Sequence, residues 1–298
     1  MTGTTDGGSL ASDILRAHHD LLAALDFEVL DDDRFRATSE RSRFGRTFGG
    51  QLLAQAFHAA ARTVTGQDPD SLHAYFVRSG RIDEPLDLAV TRVRDGRSLS
   101  IRSVEISQDG ATLMTAIASF HANPEGPELV VERPPVPAPD ELPSLQSWVP
   151  GQPAERLASA QTWVDRPPPL DIRIGEPPYF LGGPHTGGLR SHWMRLPCPT
   201  GGGPDLHAAL LTYASDYFLL DMAFRSRPDA APMSDLMGVS LDHTVWIHRP
   251  VRFDRWHLHT QELLALSGER ALVRGSIHDE DGHLVASAAQ EVLVRVVA

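Results

Sequence analysis

The same strand pattern occurs twice along this chain, and the duplication restricts the fold more than any other feature. Turn signals at Asp109-Gly110 and Asp281-Gly282 lie in matching places of the two copies. The segment Leu72–Arg78 resembles Asp242–His248, at an offset near 170 residues. Alternation predicts the strands Leu72–Arg78, Leu86–Arg94, Ser98–Gln108 and Ala111–His121, then Val239–His248, His257–Ala265, Arg270–Asp279 and Leu284–Val297. We therefore expect two copies of one folding unit.

A predicted helix precedes each set of strands. The first is Gln51–Val64, which is nearly all apolar or small and so indicates burial against a sheet; the second carries Asp216. Another helix is predicted at Ser12–Leu25. One antiparallel sheet wrapped on one long helix is a hotdog unit, and two such units can pair their sheets edge to edge. The predicted fold class is therefore α+β, a tandem (double) hotdog.

Composition along the chain predicts three parts. Residues 1–123 form the N-terminal repeat, with a flexible tail at 1–11, and residues 185–298 form the C-terminal repeat with the candidate catalytic set. Between them, residues 124–184 are rich in Pro and Gly, as in Arg133–Pro139, which favours an extended linker over helix or central strand. Within this linker a short helix is predicted around Leu157–Val164.

Several classes of function are disfavoured by composition. A net charge of −12 argues against nucleic acid as a partner. No apolar run approaches the length of a membrane span, and the N-terminus lacks the basic start and apolar core of a signal peptide. The single Cys198 excludes an internal disulfide and favours a reducing, cytoplasmic location. We expect neither a metal nor a cofactor, since the histidine pairs do not form a metal motif.

Asp216 is the first candidate for chemistry. It lies within an apolar helical run that includes Leu210, Tyr213, Tyr217 and Phe218. An unpaired carboxylate on a buried helix face costs several kcal/mol, so it needs partners or a chemical role. Spacing alone leaves two interpretations open, a solvated residue on the helix surface and a catalytic base.

Ser240 and Gln290 are further polar residues where core positions are expected. A carboxylate, a hydroxyl and a carboxamide together can bind and activate a water molecule. The alternatives are that Ser240 is a turn or cap residue and that Gln290 faces solvent. The pair Asp242-His243 competes with this set as an acid–base pair. The residues by themselves therefore only hint at hydrolysis.

Four motifs give the chain a specific resemblance. They are Phe48-Gly-Gly-Gln-Leu-Leu-Ala-Gln-Ala56, Tyr213-Ala-Ser-Asp216, Leu241-Asp-His-Thr-Val-Trp-Ile-His-Arg-Pro250 and Asp281-Gly-His-Leu-Val-Ala-Ser-Ala-Ala-Gln-Glu291. In this order and spacing the chain resembles the acyl-CoA thioesterase II family from about Leu21 to the C-terminus. The resemblance implies a double hotdog that hydrolyses fatty acyl-CoA to free fatty acid and coenzyme A.

The resemblance also implies a site. The family's catalytic aspartate, threonine and glutamine correspond to Asp216, Ser240 and Gln290, with serine in place of the usual threonine. The N-terminal repeat lacks a complete set, so one site per chain is expected. The residues expected to bind substrate are Gly49, Gly50 and Gln51, with Arg43 and Arg46 for the coenzyme A phosphates and Phe57 and Phe218 along the acyl chain.

Other functions and the assembly complete these expectations. A hotdog 2-enoyl-CoA hydratase that uses Asp242-His243, and a non-catalytic acyl-CoA binding protein, remain as alternatives. The family commonly associates further, which implies a homo-oligomer, a dimer or tetramer of double hotdogs.

Overall fold

The computed structural model describes residues 7–122, 126–127, 129, 131–229 and 231–297. The expected tail at 1–11 lies partly outside this range, and residues 7–11 belong to the first helix. The helices are α1 Gly7–Leu25, α2 Gly49–Ala61, α3 Ala154–Asp165, α4 Pro204–Ser215 and α5 Leu219–Arg225. The strands are β1 Glu28–Val29, β2 Arg34–Ala37, β3 Asp68–Phe76, β4 Leu86–Asp95, β5 Leu99–Gln108, β6 Ala111–His121, β7 Asp171–Arg173, β8 Arg190–Arg195, β9 Leu236–Ser240, β10 Asp242–Ile247, β11 His257–Ser267, β12 Arg270–Asp279 and β13 Leu284–Val296.

The strands form one antiparallel sheet that runs through both repeats. Its order is β1-β2-β4-β5-β6-β3-β10-β13-β12-β11-β8-β7, with β9 paired to β13 outside this path. The two repeats meet where β3 pairs with β10, with Leu72 opposite Val245. The expected edge-to-edge pairing of two hotdog units is therefore confirmed, and the fold is a double hotdog.

The helices α2 and α4 pack against each other, and both also contact strands of this sheet. Both are buried over nearly their whole length, which explains the small and apolar side chains of α2. At Gly50 the helices come so close that a Cβ atom would lie 2.4 Å from the Tyr213 carbonyl oxygen. A side chain at this position would push the start of α2 away from the last turn of α4.

The predicted C-terminal helix is interrupted. It ends at Ser215, Asp216 is its C-cap, and Phe218 adopts a left-handed backbone with φ of +68° before α5 begins. Few bulky residues adopt this conformation, and it turns the chain sharply after Asp216. The expectation that Asp216 lies inside a continuous helix is therefore wrong. The predicted strand Val239–His248 is likewise two strands, β9 and β10.

The segment 124–184 is not an extended linker over most of its length. It contains the predicted short helix, as α3, and the edge strand β7. Its side chains Leu145, Trp163 and Leu170 are buried in the same core as the repeats. Prolines prevent long regular elements but do not prevent apolar side chains between them from packing. The division into 1–123, 124–184 and 185–298 stays a prediction.

Within the described residues, none of the helices has the length and apolar character required to cross a membrane.

Candidate active site

A cavity of about 1020 Å³ opens between the two repeats beside the end of α4. The N-terminal repeat contributes Gly49, Phe76 and Arg78, and the C-terminal repeat contributes Asp216 and Ser240. Its walls are mostly apolar, with a few polar groups near Asp216, which is typical of a small-molecule site.

Asp216 is a buried carboxylate at the wall of this cavity, with a side-chain exposure of 6 %. Its Oδ1 atom accepts a hydrogen bond of 2.6 Å from Nε2 of Gln290, and the backbone N–H of Gly50 also donates to the carboxylate. Burial raises the pKa of Asp216 to about 6, although both hydrogen bonds act in the opposite direction. Such a carboxylate is ionised at neutral pH yet basic enough to accept a proton from water.

Gln290 and Ser240 reach the site from different strands. Gln290 lies on β13 and is fully buried behind Asp216, and its Oε1 atom has no hydrogen-bond partner among the described residues. Ser240 ends β9, opposite Val292 of β13, and lines the cavity together with Asp216. Within the described part of the chain its hydroxyl makes no hydrogen bond to Asp216 or Gln290. The structure thus brings all three predicted residues to one place, with only Asp216 and Gln290 in direct contact.

The two glycines differ in position and partner. Gly49 lines the cavity, and a Cβ atom there would lie 2.9 Å from Oδ2 of Asp216. The N–H of Gly50 is already bonded to Asp216 and is therefore not free for substrate. The start of α2 thus directs the positive end of its helix dipole at a carboxylate from the other repeat.

Gln51 lies in a different environment from the one expected. Its side chain is fully buried, accepts from the Glu40 backbone N–H at 3.0 Å and donates to Gln55 at 3.1 Å. It is absent from the walls of the cavity. In the structure Gln51 therefore supports the packing of α2 and does not face the substrate cavity.

The two predicted arginines also differ. Arg43 donates to the Tyr217 hydroxyl at 3.2 Å and to the Arg166 carbonyl at 3.0 Å, and its guanidinium lies 4.9 Å from the centre of the Trp163 ring. These contacts hold it within the protein. Arg46 is exposed at the cavity wall and forms no ion pair within the described residues. It remains accessible to an anionic ligand.

The cavity has an aromatic wall, of which only Phe218 was predicted from the sequence. Trp163 and Phe180, both from the segment 124–184, stack with ring centres 4.6 Å apart, and Phe218 lies 6.1 Å from Phe180. All three line the cavity. Trp163 and Phe180 could not be predicted, because the Pro-rich segment 124–184 has no periodicity from which burial can be inferred.

Phe57, by contrast, does not line the cavity. It packs against Phe120 in the core, so its expected contact with the acyl chain is wrong.

The competing pair Asp242-His243 is not assembled. Alternate residues of β10 face opposite sides of the sheet. The Asp242 carboxylate accepts from the Glu291 backbone N–H at 2.7 Å, whereas His243 points into the core toward Ser215 and Gln290. Burial lowers the pKa of His243 to about 3, so the ring is neutral. These two side chains do not work together as an acid and a base.

The chain matches two family models in succession. Residues 38–121 match the acyl-CoA thioesterase N-terminal domain, and residues 132–294 match the acyl-CoA thioesterase C-terminal domain. Together they cover most of both repeats.

Individual relatives agree with these matches. Acyl-coenzyme A thioesterase 8 of Homo sapiens is 33% identical over 91% of this chain and 88% of the relative. Acyl-CoA thioesterase 2 of Haemophilus influenzae is 30% identical over 95% of this chain and 99% of its own length. The crystal structure of the acyl-CoA thioesterase II TesB2 from Mycobacterium marinum superposes with a TM-score of 0.75 at 32% identity, covering 95% of this chain and 98% of that one. The chain belongs to the acyl-CoA thioesterase II family and is a thioester hydrolase.

Proposed function

We propose that this protein hydrolyses fatty acyl-CoA to a free fatty acid and coenzyme A at the cavity beside Asp216. One observation carries the proposal: a buried carboxylate with a raised pKa, held by Gln290 and Gly50, forms part of the cavity wall. A group with these properties activates water and needs no nucleophilic side chain.

In the proposed reaction Asp216 takes a proton from a water molecule as the water oxygen attacks the thioester carbonyl carbon. The carbon–sulfur bond then breaks, and the coenzyme A thiolate leaves and takes the proton from Asp216, which returns the carboxylate to its ionised form. Ser240 orients this water from the cavity wall, and Gln290 acts from behind Asp216 by donating to its carboxylate. A thiolate is a good leaving group, so the site needs no strong acid catalyst.

The N–H of Gly49 is the proposed donor to the developing oxyanion. It lies in the first turn of α2, where N–H groups have no partner within the helix, and it borders the cavity beside Asp216. Gly50 takes part by holding Asp216, which replaces its expected contact with the oxyanion.

The two ends of the substrate fit different parts of the wall. The aromatic wall of Trp163, Phe180 and Phe218 is proposed for the acyl chain. Arg46, joined by Arg78 and Arg156, is proposed for the phosphates of coenzyme A, since these three cavity residues form no ion pair within the described chain. Arg43 would then contribute indirectly, by holding Tyr217.

Two broader expectations stay proposals. We propose a cytoplasmic location, on the basis of the single Cys198, and a homo-oligomer built from double hotdogs. Size measured by light scattering tests the second of these.

Two assays on the purified protein separate this function from its alternatives. We expect thiol release from saturated acyl-CoA substrates of increasing chain length, and no hydration of crotonyl-CoA. Hydration without thiol release would establish the hydratase, whereas thermal stabilisation by acyl-CoA with neither reaction would establish a binding protein.

A further inference from the structure

His243 is a fully buried histidine that the proposed reaction does not use. It lies on β10, with its ring between the last turn of α4 and strand β13. The ring does not line the cavity, so it cannot touch the substrate. Nevertheless both ring nitrogens have partners, Ser215 on one side and Gln290 on the other.

The hydrogen on the ring can be assigned from the helix side. The Ser215 hydroxyl donates its single hydrogen to the Thr212 carbonyl at 2.8 Å. Its oxygen also lies 2.9 Å from Nε2 of His243. When the hydroxyl hydrogen goes to Thr212, whose carbonyl can only accept, both contacts of Ser215 are satisfied with Nε2 as the donor in the second bond. A neutral ring with hydrogen on Nε2 has a bare Nδ1, which accepts hydrogen bonds.

The same assignment follows independently from the carboxylate side. Gln290 approaches Asp216 at 2.6 Å and Nδ1 of His243 at 3.3 Å through the same end of its amide. An ionised carboxylate only accepts hydrogen bonds, so the nitrogen end of the amide must face it. The two hydrogens of this nitrogen then go to Asp216 and to Nδ1 of His243. Each neighbour therefore requires the same ring tautomer and the same amide orientation.

We propose that His243 is a positioning residue: its bare Nδ1 fixes the Gln290 amide so that Nε2 donates to Asp216. A continuous path of hydrogen bonds then runs from the Thr212 carbonyl through Ser215, His243 and Gln290 to Asp216. The role needs a neutral ring, because an imidazolium would direct a second donor at the amide N–H group. The deep burial of the ring, which lowers its pKa to about 3, keeps it neutral.

The described residues of the N-terminal repeat form no equivalent of this path. Its inward-facing pairs between the corresponding strands β3 and β6 are Leu72 with Ala118 and Ala74 with Ala116, all apolar. The polar ring is thus specific to the repeat that carries Asp216. The inference rests on the proposed function, since the orientation of Gln290 matters only if Asp216 activates water.

Three substitutions test the role of Nδ1. In His243→Asn the side-chain amide takes the place of Nδ1 and keeps an acceptor for Gln290. In His243→Gln the longer amide takes the place of Nε2, which keeps the contact with Ser215 and loses that acceptor. His243→Leu removes both. We expect the Gln and Leu variants to lower kcat about 10- to 100-fold, the Asn variant to recover most of this loss, and KM to change less than about threefold in each.

The matched control is His278→Asn, which changes another buried histidine, on β12, whose ring does not line the cavity. We expect it to keep the kcat of the unmodified protein. Unchanged activity in a folded Leu variant, or an Asn variant as slow as the Leu variant, would overturn the proposal. If Asp216→Asn retained full activity while the His243 variants were slow, the proposed function would fail instead.

A neutron structure of the unmodified protein tests the assignment without any substitution. We expect deuterium on Nε2 of His243, none on Nδ1, and the deuterated amide nitrogen of Gln290 toward Asp216. Deuterium on Nδ1, or the amide oxygen toward Asp216, would overturn the proposal even if every variant failed to fold.

Discussion

The two repeats share one architecture, but the buried glutamines beside their inner helices differ in how their amides are bonded. In the N-terminal repeat Gln51 and Gln55 lie on the inner helix, and every side-chain nitrogen and oxygen of the two has a partner. In the C-terminal repeat Gln290 is equally buried, but its Oε1 has no partner among the described residues, and the neighbouring carboxylate borders a cavity.

This difference separates a structural polar network from a functional one. A satisfied buried network stabilises the fold and offers nothing to a ligand. A network that ends at a carboxylate in a cavity wall offers that carboxylate to a water molecule or substrate. The N-terminal repeat also acts at the site itself, because the N–H of its Gly50 helps to hold Asp216. One repeat carries the chemistry while the other forms part of its support.

Replacing the carboxylate is expected to have the largest effect. Asp216→Asn should lower kcat for acyl-CoA about 10²- to 10⁴-fold with KM nearly unchanged, because the amide cannot accept a proton from water. Asp205→Asn is the control at the opposite end of the same helix, away from the cavity, and should keep normal activity. Thiol release measures both. An equal loss of kcat in the two variants would mean that activity depends on the integrity of the helix and not on the Asp216 carboxylate.

Replacing one glutamine in each network is expected to have the next largest effect on kcat. Gln290→Leu should lower kcat about 10- to 10³-fold, since Asp216 loses the donor that holds its carboxylate. Gln55→Leu should leave kcat within about twofold but lower the free energy of unfolding by about 1 to 3 kcal/mol, because Ala24 and Thr38 lose their donor. Kinetics and urea unfolding, measured on both variants, test this reversal. If the two variants lost kcat and stability to the same extent, the distinction between a functional and a structural network would be wrong.

The pH dependence follows from the raised pKa of Asp216. Only the ionised carboxylate accepts a proton, so kcat/KM should fall about tenfold for each pH unit below about 6 and level off above it. Gln290→Leu removes a hydrogen bond that lowers this pKa, so it should move the fall in activity to higher pH, whereas Gln55→Leu should leave it in place. A profile of kcat/KM from acid to neutral pH shows both. If the fall in kcat/KM occurred at the same pH in Gln290→Leu, the titrating group would be one other than Asp216.

The smallest expected effect concerns Ser240. Ser240→Ala should lower kcat about tenfold through loss of the hydroxyl, and Ser240→Thr should stay within about threefold because the hydroxyl is kept. Ser71→Ala is the control in the N-terminal repeat, where the hydroxyl contacts Ser119 and not the cavity. Steady-state kinetics on the three variants test whether the Ser240 hydroxyl contributes to catalysis. Full activity in Ser240→Ala would show that it does not.

Much of the fold was predictable because its signals are local. The alternation in Arg270–Asp279 predicted β12 with its observed bounds, and the small residues of Gln51–Val64 predicted a buried helix that starts two residues earlier, at Gly49. The break after Asp216 was not predictable, because Tyr217 and Phe218 continue the apolar pattern while tertiary packing sets the left-handed φ of Phe218. The motifs identified Asp216, Ser240 and Gln290 as site residues, but they did not predict which of these side chains are in direct contact.

The sequence by itself determined the duplication, the α+β elements and the presence of a carboxylate in an apolar helix. These features depend on periodicity and composition over short stretches of chain, which neighbouring residues encode directly. Only the tertiary structure decided that Gly50 holds Asp216 from the other repeat, that Trp163 and Phe180 form a cavity wall, and that Gln51 does not reach the cavity. These features depend on contacts between residues far apart in sequence, and such contacts exist only once both helices pack inside one sheet.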